Sequence, residues 1–449
     1  MNDRDSIISW IYALPEDAGP QKVSKKRKRQ HQHRRQLASP PTPYESDESN
    51  SKNGSEMPST PKKRRLAAGA DNEGDDLDAT PRAGSHSVSY SNTSSTTSAA
   101  SSPKKHMLNL RLCEFAAVVF KKLNVQKPPE PARRLVKSIV EIGRGHILPH
   151  GLKSTIMEQV KARGIDDSGW SLSFKPAEVV DNLPGRIPTL KEVVYIYEKA
   201  SECQDHGHEE VGWNHQVYMR LLENIFENGV DGLCDNFNAA NCTTARPHRL
   251  FKPVSGPNKM IDICVYASFD HDTDVQARID ECSRATPTRT INHTDFEVTA
   301  ARPLLLSIET KKPGVHWDTA QLQIGIWHAA QWAFLRWAVE ENISRQEQEE
   351  QQQQQQEQEA ITNPKTTKAK GFAILSKLGF IPAIIVQGHY WYLVLSTYDE
   401  DGKTTLWTAR AFGDTQSWLE IYAIVAGIRE LTAWARDVYL PWFQVNVLD

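Results

Sequence analysis

What the chain lacks narrows its class first. Its six cysteines, at 113, 203, 234, 242, 264 and 282, include no C-x-x-C pair, and no secretory leader pattern is present. Free thiols in a reducing compartment are the expectation. Cys234, Cys242 and His248 stand in a C-x7-C-x5-H spacing that lacks the tight pairing of structural zinc sites. No apolar run approaches about 20 residues, which argues against a membrane span. Charge of one sign is not in excess either: the net charge is −3, so the molecule as a whole is no polycation. Large apolar residues are scarce, at 39% hydrophobic, and the shortage is concentrated in two stretches. One is residues 15–105, rich in Ser, Thr, Pro and Asn; the other is QEQEEQQQQQQEQE, Gln346 to Glu359. Neither buries enough apolar surface to offset the entropy of ordering, so both are predicted to be disordered.

What is present falls into blocks. Residues 1–14 form a short amphipathic segment built on Ile7, Ile8, Trp10, Ile11 and Leu14. Within the 15–105 tail lie two dense basic runs, Lys25–Arg35 and Lys62–Arg65. Such runs in a flexible segment read as nuclear-import signals, which predicts an import receptor as partner and the nucleus as location. Residues 106–204 read as a helical region, with apolar residues at three- and four-residue spacing near 108–123, 131–142 and 152–163. Thr189 and Glu192 form a capping box that opens a helix to about Cys203. Residues 205–443 then alternate: a helix over 208–226, strands at 238–245, 259–268 and 302–310, and a helix from Asp318 to about Glu340 capped by Asp318 or Thr319. After a disordered Gln-rich insertion at 344–368 come a hairpin turning at Gly388-His389, the strand TTLWTARAF, and a closing helix. The fold class is α/β, a mixed sheet flanked by helices, preceded by a helical region and a long disordered tail.

Chemistry concentrates in the stretch LLLSIETKKPG, Leu304 to Gly314. Its apolar start reads as a strand buried on both faces, yet Glu309 and Lys311 follow, on one side of that strand because side chains alternate. A second acidic residue, Asp262, interrupts the apolar strand KMIDICVYAS. An isolated buried carboxylate is costly and needs a partner or a metal. If the two strands pair, Asp262 and Glu309 converge on one hard cation, Mg²⁺ or Mn²⁺, which takes oxygen ligands including a backbone carbonyl such as that of Thr310. The plainer alternative is a strand-end ion pair between Glu309 and Lys311, with Asp262 capping a turn. Arg246, His248, Arg249 and Lys252 precede the Asp262 strand and are candidates for holding a phosphate backbone. The 47 positions from Asp262 to Glu309 require the polar stretch 269–300 to loop out between the strands.

Acidic, then acidic-x-lysine, on adjacent strands resembles the PD-(D/E)XK nuclease superfamily, whose restriction-endonuclease-like fold is the one expected here. The chain is similar in more detail to a group of fungal proteins described as PD-(D/E)XK nuclease-like. The resemblance runs through Trp10-Ile-x-x-Leu14-Pro15, CTTARPHR (242–249), SIETKKPGVHWDTAQLQIGIWHAAQWAFLRWA (307–338) and IIVQGHYWYLVLSTYD (384–399). It implies Asp262 and Glu309 as metal ligands, Lys311 as the catalytic lysine, and a metal-dependent nuclease; the expected partner is nucleic acid, DNA ahead of RNA, with the choice between them left open by the sequence. The family's further glutamate, on the helix before the first strand, maps to Glu210, which shares a face with Trp213, Val217 and Leu221, with Glu209 as rival. A glutamine one helix later maps to Gln323, followed four positions on by Trp327, with Gln321 as rival. Ile261 stands where the family name has proline. The superfamily also includes members that keep the fold without catalysis, so an inactive nucleic-acid-binding or nuclear scaffold protein is the alternative.

Overall fold

A computed structural model of the chain describes residues 102–227, 236–253, 261–354 and 364–449. The amphipathic segment at 1–14 and both basic runs lie outside the described residues. Of the stretch 15–105, residues 103–105 belong to the first helix, α1 (Pro103–Arg111), whose amide at Lys105 is accepted by the Ser102 hydroxyl.

Seven strands form one mixed sheet: β1 (Val118–Lys122), β2 (Phe237–Asn241), β3 (Ile263–Ala267), β4 (Leu304–Lys311), β5 (Ile381–Gln387), β6 (Tyr390–Tyr398) and β7 (Thr404–Gly413). Their spatial order is β1-β7-β6-β5-β4-β3-β2. β4 and β5 pair in parallel, as do β1 and β7, and the remaining neighbours are antiparallel. The central strands are apolar on both sides because both faces are covered. Along β5, Ala383 and Ile385 pack on one face, and Ile384 and Val386 on the other.

One face is covered by α8 (Trp317–Gln354), which sets Ala320, Ile324 and Trp327 against the sheet. Gly325 on α8 has a reason to lack a side chain, since a Cβ there would lie 2.8 Å from the Phe120 ring of β1. The other face is covered by α10 (Trp418–Trp434), buried almost all round and started by Ser417, whose hydroxyl accepts from the Glu420 amide. Beside it pack α2 (Arg133–Ile142) and α4 (Leu190–Asp205), the latter opened by the Thr189–Glu192 capping box. α3 (Lys153–Ala162) adds Ile156 and Val160 to the same core. Each large aliphatic side chain buried there contributes about 1.5–3 kcal/mol.

Five sequence expectations are corrected. The helix read over 108–123 is α1 followed by β1: the β-branched run Val118-Val119 suits a strand, and parallel pairing of Val118 with Thr404 recruits it to the sheet. The sheet thereby draws on residues either side of the division expected at 204/205. The strand read over 238–245 ends at Asn241. The stretch 269–300 holds α7 (Thr273–Ala285), capped by the Asp272 carboxylate on the Val275 amide. The Gln-rich insertion is helical at both ends, because Gln and Glu are good helix formers and simply prolong α8. α9 (Pro364–Leu378) then packs back on it, with Lys370 and Glu347 2.8 Å apart. Asp318 sits inside the first turn of α8 rather than capping it.

His328, on α8, is fully buried with Nδ1 2.8 Å from the Ser396 hydroxyl of β6, which also accepts from Trp332 Nε1 at 2.9 Å. Its role is packing. Burial depresses its pKa to about 3, and burial together with His328 does the same to His293. Below pH ~6.5 the unfolded chain takes up a proton at each position that the folded chain refuses, so their contribution to stability falls as pH drops from 6.5 towards 3. Glu420 and Glu430, raised by burial, act in the opposite sense. The clean readout is therefore a difference. His328→Asn, which preserves a bond to Ser396, is expected to lose about 2–3 kcal/mol less than the parent between pH 7.5 and 4.5 in urea unfolding. Equal losses would show that His328 is not held neutral.

Candidate active site

The last turns of β4 read Glu309, Thr310, Lys311. Alternation sends Glu309 and Lys311 out on the face covered by α8, beside Ile385 and Gln387 of β5 in parallel register. Asp262 lies at a bend one residue before β3, where the ladder that begins with Ile263 opposite Ile308 ends, and its amide donates to Ile308 O at 3.2 Å. Asp262 therefore sits by the end of β4, close enough for its charge to act on Glu309.

Thr310 fixes the aspartate. Its amide donates to Asp262 Oδ2 at 2.7 Å and its hydroxyl to the same oxygen at 2.9 Å. The Thr310 carbonyl, expected from sequence to face a metal, accepts from Lys311 Nζ at 2.8 Å. The ammonium also lies 2.7 Å from Glu309 Oε1 and 3.3 Å from Glu210 Oε2.

Glu210 arrives from α5 (Glu210–Trp213), which runs through a π turn (Asn214–Tyr218) into α6 (Met219–Phe226). Two contacts hold this helix against the β5–β6 turn. Tyr218 Oη donates to Gly388 O at 2.7 Å, and Trp213 meets the His389 ring edge-on at 5.0 Å. Gly388 has a φ of +57° and sits where a Cβ would be 2.6 Å from Pro313, so the turn also locks the loop after β4. Of the two rival glutamates, Glu210 joins Lys311, while exposed Glu209 pairs with Lys312 at 3.1 Å.

Two carboxylates thus pair with one ammonium, and a third, Asp262, is held nearby by Thr310. Glu309 has no exposed surface; its Oε1 pairs with the Lys311 ammonium and its Oε2 has no partner. Burial, then the Asp262 charge, push its pKa well above the usual carboxylate range, against the pull of Lys311. Burial raises Asp262 too, opposed by Lys311 and by the bonds from Thr310. Glu210 is pushed up to about 7, chiefly by burial. Burial works against the Lys311 charge, but Glu309, Asp262 and Glu210 outweigh it and raise its pKa. With all three carboxylates ionised, the cluster would hold more negative charge than one lysine neutralises. A divalent cation is the chemical species that would relieve it.

Among the described residues no three His, Cys, Asp or Glu side chains are gathered into a metal-ligating group. Mg²⁺ does not need one, since it is commonly held by one or two carboxylates with water completing the shell. The buried Glu309 carboxylate, with one oxygen left unpartnered, fits that donor set together with Asp262.

The remaining candidates are more scattered. Gln321 accepts from the Thr408 hydroxyl on β7 at 3.2 Å, three strands away from β4. Gln323 is half-buried on α8, next to the sheet-facing Ile324. Trp327 is core, its ring edge-on to His293 at 4.5 Å. Arg246 and Arg249 are exposed on the segment leaving β2. His248 is half-buried, and Lys252 half-buried with its pKa lowered by burial. That segment is pinned by Phe251 on Phe334 of α8, roughly 25 Å along the helix from Trp317.

A family model described as PD-(D/E)XK nuclease superfamily matches residues 155–440, well over half of the chain. The match is to the superfamily and carries nothing about a fungal source. No curated protein and no solved structure matches the chain.

Proposed function

Because the chain belongs to the PD-(D/E)XK nuclease superfamily, we propose that it is a metal-dependent nuclease that hydrolyses phosphodiester bonds, with Asp262 and Glu309 as the ion's protein ligands. The observation that carries this is the fully buried Glu309 carboxylate near Asp262, with Lys311 on one oxygen and no partner on the other. Mg²⁺ or Mn²⁺, when bound, supplies Lewis-acid stabilisation of the charge that develops on the phosphate.

The chain's own residues do the rest. Thr310 holds Asp262 in one orientation through two hydrogen bonds. Lys311 fixes Glu309 and Glu210 relative to one another and keeps its positive charge at the end of β4, where a scissile phosphate would meet it. Glu210 sets the position of that ammonium from the opposite side. Gln323 lines the helix that covers this face of the sheet. Arg246 and Arg249, both exposed, would contact backbone phosphates further out, with His248 and Lys252 lending less because they are partly buried.

The test is a cleavage panel of DNA and RNA with the purified full chain, in Mg²⁺, in Mn²⁺ and in EDTA. Cleavage with either metal and none in EDTA is expected. Binding without cleavage under every condition would instead identify an inactive nucleic-acid-binding member of the superfamily. Neither binding nor metal uptake would leave a scaffold protein.

A further inference from the structure

Beyond the carboxylate cluster, the same face of the sheet carries a cavity of about 540 Å³ between β5, β6, β7, β1 and the start of α8. Gln387, the in-register neighbour of Lys311, forms its border with the candidate active site. Its floor and walls include Tyr392, Trp317, Gln321 and Lys122. The Trp317 and Tyr392 rings lie 4.9 Å apart and nearly edge-on. Lys122 shares its side of β1 with Phe120, which packs on Gly325, and is exposed at the cavity's rim. Lys121 also borders the cavity, but its ammonium is turned away to lie over the Trp407 ring at 5.1 Å.

We propose that this cavity takes nucleotides of a single-stranded nucleic acid, making single strands the substrate class of the adjoining site. The inference rests on the nuclease reading above and extends it. Bases in a duplex are stacked on one another and offer no free face, whereas an unpaired base presents both faces to an aromatic ring. Trp317 and Tyr392 supply such rings inside a concavity. Lys122 supplies a cation for the backbone phosphate. Gln321 and Gln387 supply amides that can hydrogen-bond base edges. A strand laid from Lys122 towards Gln387 crosses β1, β7, β6 and β5 and arrives beside Lys311, roughly four strand spacings or 19 Å later. The substrate would then be led in from the β1 edge.

Binding is measured in EDTA, so that cutting plays no part, by fluorescence anisotropy of a short labelled oligothymidylate and of a duplex containing it. The parent is expected to prefer the single strand. Trp317→Leu, which keeps an apolar filler, is expected to weaken single-strand binding by roughly five- to a hundredfold, the range for loss of one base–aromatic stack. Lys122→Glu is expected to weaken it and to lower the salt dependence by about one phosphate contact. Lys121→Glu carries the same charge change where the ammonium is turned away and is expected to do much less. Equal binding of duplex and single strand, parent-like binding by Trp317→Leu, or equal effects of the two lysine variants would each overturn the proposal. The two readings fail separately. Single-strand binding lost in Trp317→Leu, with no cleavage in any metal, would remove the nuclease and keep the groove. Metal-dependent cutting of duplex by the parent and both variants alike would keep the nuclease and remove the groove.

Discussion

Replacing Lys311 with alanine is expected to yield a folded protein whose metal-dependent cleavage has fallen by about a hundred- to a thousandfold, the scale seen when one group aimed at developing charge is removed. The ammonium touches Glu309, Glu210 and the Thr310 carbonyl, so its loss disorganises three groups at once. Stability should also fall, because removing one partner of a buried ion pair leaves uncompensated charge at a cost of about 3–5 kcal/mol. Part of that is recovered by proton uptake on Glu309 and Glu210, both already raised in pKa by burial. Lys311→Met keeps the apolar stem and removes only the charge, which separates a catalytic loss from a folding defect. Circular dichroism establishes that each variant is folded, and cleavage is then compared at equal folded concentration. Parent-like cutting by either folded variant would remove Lys311 from the mechanism.

Glu309→Gln should do something less usual. In EDTA it is expected to melt a few degrees above the parent, by about 1–3 kcal/mol, because it takes one charge out of a buried cluster in which Glu309 and Asp262 repel each other. Its carbonyl oxygen still accepts from Lys311, and its amide can donate towards Asp262 where the carboxylate could only repel. With Mg²⁺ present the order should reverse. The parent gains stability with the logarithm of ion concentration over Kd, and the variant, short of a ligand charge, gains little or nothing. Differential scanning fluorimetry across a Mg²⁺ titration reads both halves. Parallel curves for parent and variant would mean that Glu309 does not bind the ion.

These two side chains were legible before any coordinates because strand alternation is local: Glu309 and Lys311 are two residues apart, and an acidic residue in an apolar strand stands out. Their meeting with Asp262 follows from β3–β4 pairing, which the apolar runs on either side suggested. Glu210 was ranked above Glu209 by helix periodicity alone, and it is Glu210 that meets Lys311. What stayed hidden depended on distant partners. Val118-Val119-Phe120 carries helix-compatible spacing, and only pairing with Thr404–Leu406, far along the chain, makes it a strand. The glutamine tract illustrates the opposite failure. Its composition cannot build a core, which predicts disorder, yet its described part, 346–354, continues α8, and Glu347 meets Lys370 of α9. Gln321 and Gln323 lie on a helix whose face towards the sheet was ambiguous in sequence, and Thr408 on β7 claims Gln321.

β1 has a practical bearing on how the protein is cut into pieces. The superfamily match starts at residue 155, and a fragment begun there would carry β2 to β7 but not the strand that finishes the sheet beyond β7. Bare amide and carbonyl groups along Thr404–Thr408 would then be open to any passing chain, the usual route to edge-to-edge association. Such a fragment would also lose Lys122 and the Phe120 wall that abuts Gly325. A minimal unit should therefore begin ahead of Ser102, so that the α1 cap and the terminal strand travel with the rest of the sheet.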